Sequence, residues 1–110
     1  MKPLSEALRD LLAEKNLSQT DLWAAADLSP AVLSRYLSGE RGRRMNSQAL
    51  ATVEKLARAL GVEPEYFLEY RAEKARRLVE NAVKRGEIDL EDIELVIERH
   101  KFMKGRESKT

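Results

Sequence analysis

At 110 residues the chain can build one modest hydrophobic core, or a core with an appendage, and no second composition regime argues for two independent domains. Charged residues make up 35% of it yet nearly cancel, 20 Lys and Arg against 19 Asp and Glu, which excludes a global field drawing it to nucleic acid or membrane. With no Cys and a single His there is no disulfide framework, thiolate nucleophile or zinc-ligand set, so no metal, cofactor or catalytic constellation is expected, and the composition suits a reducing cytoplasm.

The opening MKPLSEALRDLL is too charged for a signal peptide, and no stretch approaches the ~20 apolar residues of a membrane span. A soluble protein retained in the cell is expected. Leu4, Ala7, Leu8, Leu11 and Leu12 recur at three- and four-residue steps, which predicts an amphipathic helix with Asn16 at its exit. Ser18 is a natural N-cap for the next helix, with Asp21 three residues on as a short-armed capping-box partner. That helix carries Leu22, Ala25 and Ala26 on one side and stops near Asp27, a residue type that tolerates a left-handed backbone.

Ser29-Pro30 restarts a helix at once, Ser as N-cap and Pro where its missing N–H costs nothing, and Gly39 closes it. Leu33, Tyr36 and Leu37 share one face of this segment, while Pro30, Ala31, Ser34, Arg35 and Ser38 lie opposite. The opposite face is small, polar and basic. ERGRRM follows, richer in arginine than a connector requires. From Ser29 to Arg44 the charged residues are Arg35, Arg41, Arg43 and Arg44 against Glu40, a net of +3.

Asn46 or Ser47 then caps a helix whose stripe is Leu50, Val53, Leu56, Ala57 and Leu60, ended by Gly61. Pro64 is expected in the first turn of a fifth helix that carries Tyr66, Phe67 and Leu68. The pattern runs on without a break through the seam Leu68, Ala72, Ala75, Val79 and Ala82, up to Gly86. Asp89 caps a last helix, with Glu91 and Asp92 in its first turn, Ile88 stapled to Ile93, and Leu90, Ile93, Val96, Ile97 and His100 as its apolar face. The acidic pairs Glu91-Asp92 and Glu94-Glu98 serve as helix-surface charge, and the tail GRESKT is expected to be disordered.

Leu17-Ser18-Gln19, Leu22, Leu28-Ser29, Leu33-Ser34 and Gly39-Glu40-Arg41 together resemble the helix-turn-helix of the phage-repressor and Cro class of regulators, also called xenobiotic-response-element-like. The resemblance covers residues 4–70. Trp23 and Asp27 depart from it, standing where that family usually has Ala and Gly. It implies an all-α fold: a five-helix, lambda-repressor-like DNA-binding domain over residues 1–70. A C-terminal helical hairpin extension over 64–104 and a tail over 105–110 follow it.

The function so implied is sequence-specific binding of double-stranded DNA by a transcriptional regulator, a repressor, with residues 30–38 as recognition helix in the major groove. The DNA-contacting candidates are Gln19, Ser29, Ala31, Ser34, Arg35, Arg41, Arg43 and Arg44. The hairpin seam exceeds what a core of about 60 residues can cover, so a homodimer through Leu68, Ala72, Ala75, Val79, Ile93, Val96 and Ile97 is expected. Two alternatives stay open: a hairpin folded back on its own domain, and an antitoxin-like or adaptor protein whose C-terminal helices grip another protein.

Overall fold

The computed structural model describes residues 2–108, the side chains of 106–108 excepted. Its elements are α1 (Leu4–Glu14), α2 (Gln19–Ala26), α3 (Pro30–Ser38), α4 (Ser47–Leu60), a single 3₁₀ turn (Pro64–Tyr66), α5 (Leu68–Lys84) and α6 (Leu90–Ser108). There is no strand among the described residues. The chain divides into two compact units, Met1–Lys74 and Ala75–Thr110, and α5 runs out of the first into the second.

Local chemistry sets the helix ends. Ser18 and Asp21 form a reciprocal capping box: the Ser18 hydroxyl accepts the Asp21 N–H at 3.1 Å and the Asp21 carboxylate accepts the Ser18 N–H at 3.0 Å. Asp27 ends α2 in the left-handed region at φ 57°, and Gly39 ends α3 at φ 84°. Ser29 accepts the Val32 N–H at 3.2 Å with Pro30 at the first helical position. Asn46, not Ser47, caps α4, its side-chain oxygen accepting the Ala49 N–H at 2.8 Å.

Two boundaries differ from expectation. Pro64 opens only the 3₁₀ turn, and Phe67 is extended, at φ −89° and ψ 128°, before α5 begins at Leu68. The break sends the Phe67 ring, 1% exposed, into the core. A continuous helix from Pro64 would turn that ring along with its neighbours. At the other end α6 continues through Ser108, so helix occupies 105–108 where disorder is expected from composition. Each added residue closes one more hydrogen bond, and Lys, Arg and Glu are good helix formers, which offsets a weak local sequence. Lys109 and Thr110 of that tail lie outside the described residues.

The first unit is organised by apolar burial. Leu4, Leu8, Leu11 and Leu12 of α1 meet Leu22 and Ala26 of α2, Leu33, Tyr36 and Leu37 of α3, the α4 stripe, Phe67 and Tyr70 in one cluster. The described residues include no buried polar or charged residue. Ala25, expected on the inner side of α2, is exposed, while Trp23 lies half-buried at the edge of the cluster. The opening turns of α5 belong to this unit through Tyr70, whose hydroxyl donates to Glu54 at 3.0 Å, and Lys74, which pairs with Glu65 at 2.6 Å. Burial first, then the Glu54 carboxylate, pushes the Tyr70 phenol above its ordinary pKa.

Taken by itself, the second unit is built differently. Gly86 closes α5 at φ 74°, and Asp89 and Asp92 cap α6 reciprocally at 2.9 and 3.0 Å. No described residue beyond Lys74 is fully buried. Leu78, Leu90, Leu95 and Phe102 are 63 to 69% exposed.

Leu56 is fully buried, so Leu56→Ala is expected to lower stability to urea by ~2–5 kcal/mol. The exposed Lys55→Ala should stay within about 0.5 kcal/mol of the parent in the same titration.

Candidate nucleic-acid interface

Nine residues give α3 a length of about 14 Å, comparable with the ~12 Å width of a DNA major groove. Its inner face is fixed by Leu33, Tyr36 and Leu37, at 0, 5 and 6% exposure. Pro30, Ala31, Ser34, Arg35 and Ser38 are therefore turned outward, and all five are exposed.

The loop after α3 is folded back on that helix. The Arg41 N–H donates to the Arg35 carbonyl at 3.0 Å. The Ser38 hydroxyl donates to the same carbonyl at 3.1 Å and accepts the Glu40 N–H at 3.3 Å. Gly42 then passes against α1 and α3 so closely that a Cβ there would lie 2.6 Å from Leu4 Cδ2 and 3.2 Å from Tyr36 Cδ1, at φ +98°. With its backbone pressed inward at Gly42, the loop leaves Arg41, Arg43 and Arg44 exposed.

Arg35, Arg41, Arg43 and Arg44 line one open groove of ≈ 450 Å³ between α3, the loop and the start of α4. None of these four guanidinium groups forms an ion pair with a described residue. Among the described residues Glu40 is the one acid on the groove wall. Unpaired arginines in a concavity concentrate positive potential and offer planar forks to phosphate oxygens.

Of the other candidates, Ala31 and Ser34 stand exposed on the outer face of α3 and Gln19 on the first turn of α2, none of them lining that groove. Ser29 is engaged as the α3 cap, which leaves its hydroxyl proton free to donate. The groove also contains Asn46, Gln48 and Thr52, absent from the sequence-derived set. The available signal was a polar first turn directly after an arginine loop. Of these, Asn46 caps α4 and Thr52 donates to the Gln48 carbonyl at 3.0 Å, so the exposed Gln48 amide is the group left to meet a ligand.

Hydrogen bonds from Ser18, chiefly its backbone N–H, hold the Asp21 carboxyl below its ordinary value of 3.8 at the start of α2. Among the described residues no group of three or more His, Cys, Asp or Glu side chains converges as a metal ion requires. Among them, too, no helix is long and apolar enough to cross a membrane.

A family model described as a Cro/C1-type HTH DNA-binding domain matches residues 7–73, a span that ends beside the boundary of the first unit. Among solved structures, a chain of the SinR protein/SinI protein complex is similar at 18% identity and a TM-score of 0.52, over 93% of this chain and 98% of that one. At such identity the likeness is one of fold. No curated protein matches the sequence.

Gly42→Ala is expected to lose ~1–3 kcal/mol in thermal unfolding, from its strained backbone and from the crowding at Leu4. Gly61→Ala, at φ +71° with nothing within 4 Å, should show the smaller loss of the backbone contribution alone. The capping box contributes fully above the unfolded carboxylate pKa and is lost as pH falls through the lower folded value. The Ser18 amide, which donates to that carboxylate, should thus lose protection from hydrogen exchange as pH falls below about 4, as it should in the Asp21→Ala variant at neutral pH.

Proposed function

The chain belongs to the Cro/C1-type helix-turn-helix DNA-binding family, and from that premise we propose that it is a cytoplasmic, sequence-specific repressor that grips double-stranded DNA as a homodimer. The observation that carries this proposal is the exposed small, polar face of α3 beside four arginines on one groove that have no ion-pair partner among the described residues. The N-terminus of α2 with Gln19, together with Ser29, Arg41, Arg43 and Arg44, holds phosphates and sets position. Choice of sequence falls to the outer face of α3: Arg35 takes a guanine edge, Ser34 serves several bases, and Ala31 meets a thymine methyl.

Dimerisation is supported by the apolar side chains that the start of α5, in the first unit, and the second unit each leave uncovered. Val79, Val96 and Ile97 are 39, 58 and 48% exposed, Ala72 and Ala75 are exposed, and Leu68 and Ile93 are half-buried. Apolar area of this extent is stabilised by a second copy, and a twofold dimer offers two recognition helices about 34 Å apart to a palindromic site. The second reading, a different protein gripped by the C-terminal helices, is favoured by the solved SinR protein/SinI protein complex, where the similar chain is held with another polypeptide.

Selection of bound sequences from random duplexes, with the mass of the free protein measured by light scattering, separates the two. A recurrent palindromic site and a dimer mass support the first; a monomer that co-purifies with a stoichiometric second polypeptide supports the other. On the selected site Arg35→Ala should cost ~1–3 kcal/mol at one base pair and relax preference there. Arg43→Ala should instead weaken all sequences alike and reduce the salt slope by about 1. Ile97→Asp should shift the mass to monomer and weaken binding to the two-half-site duplex more than to a single half-site.

A further inference from the structure

Pro3 stands at the N-cap of α1 without a capping side chain, and the N–H groups of the first helical turn have no intrahelical partner. The missing acceptor comes from far along the chain: Glu69 Oε2, in the first turn of α5, accepts the Leu4 N–H at 2.6 Å. The other carboxylate oxygen, Oε1, is buried and has no hydrogen-bond partner among the described residues. A carboxylate committed in this way to one helix end is out of keeping with a core otherwise free of buried charge.

What the clasp holds in place lies under the arginine loop. Leu4, 2% exposed, is the side chain on which Gly42 rests, and Ser5 is the one a Cβ on Gly39 would meet at 3.4 Å. The first turn of α1 is therefore the floor of residues 39–44, and Glu69 is the group that ties that floor down. On the DNA-binding proposal above, we propose that Glu69 is a positioning residue for the phosphate-contacting arginines, acting through Leu4 and Gly42 on the loop that carries them. It does not touch the ligand itself. Its contribution is to keep the loop pre-organised, so that ordering Arg41, Arg43 and Arg44 is not left to the moment of binding.

The test uses the full chain with a short random-sequence duplex across a salt series, and hydrogen exchange of the Arg41 amide in the free protein. Glu69→Ala should lower the magnitude of the salt slope by about 1, equivalent to one phosphate no longer neutralised, and speed Arg41 exchange. Glu69→Gln, whose amide oxygen still reaches the Leu4 N–H, should fall between it and the parent. Tyr70→Phe removes a neighbouring hydrogen bond of α5, that with Glu54, and should keep the parental slope. The proposal is overturned if folded Glu69→Ala keeps both the slope and the Arg41 protection, or if Tyr70→Phe lowers the slope as much. Should Glu69→Ala fail to fold, Glu69→Gln decides alone: faster Arg41 exchange supports the clasp, and parental exchange overturns it. A parent chain that binds no duplex at low salt removes the DNA-binding proposal, and this one with it, whatever the loop amides show.

Discussion

Everything at the candidate interface depends on one-sided burial of a helix too short to stand alone. Nine residues fall below the length at which an isolated helix persists in water, so α3 exists because Leu33, Tyr36 and Leu37 are held in the core of the first unit. Helical geometry then fixes the rest. Once one face is committed inward, Ser34 and Arg35 can point only away from it, and packing energy becomes directional information for a ligand. The close approach of Gly42 to Leu4 does for the loop what those three side chains do for the helix. It presses the backbone inward and leaves the neighbouring arginines outside.

The two units invert one another in how they use apolar residues. In the first, leucines from α1 to α4 close on each other with no polar residue buried among them. In the second, no described side chain is fully buried, and leucine, valine, isoleucine and phenylalanine are spread over exposed helix surface. Ion pairs such as Arg76–Glu80 at 2.6 Å and Lys84–Glu80 at 3.0 Å run along α5 and stabilise a solvated helix only slightly. A unit held together in this way leaves much of its apolar area facing solvent.

Charge follows the same division of labour. The chain as a whole is nearly neutral, yet four arginines with no ion-pair partner among the described residues gather on one groove. A slight excess of acid elsewhere limits indiscriminate attraction to polyanions, while the local cluster leaves a strong field where helix and loop meet. Arginine suits the position because its charge persists at any physiological pH and its planar fork matches a phosphate.

Much of the first unit was legible in residue order because its signals are local. Ser18 with Asp21, Ser29-Pro30, Gly39 and Gly61 mark helix ends by chemistry acting within a few residues, and the leucine spacing picks out the buried faces. The family resemblance singled out α3 and the arginine loop as the candidate DNA-contacting stretch. Three things only the tertiary structure decided. Phe67 breaks the helix expected from Pro64, because the need of the core for its ring outweighs local propensity. Gln48 and Thr52 join the arginines because α4 turns its first two turns toward α3, a proximity no local pattern encodes. Glu69 reaches the N-terminus of α1 across 65 residues of chain. Sequence alone determined what each short stretch prefers to be, since caps, turns and helical periodicity act over a few bonds; only the folded chain decided which distant stretches share a surface, since that depends on how several helices fill one volume together.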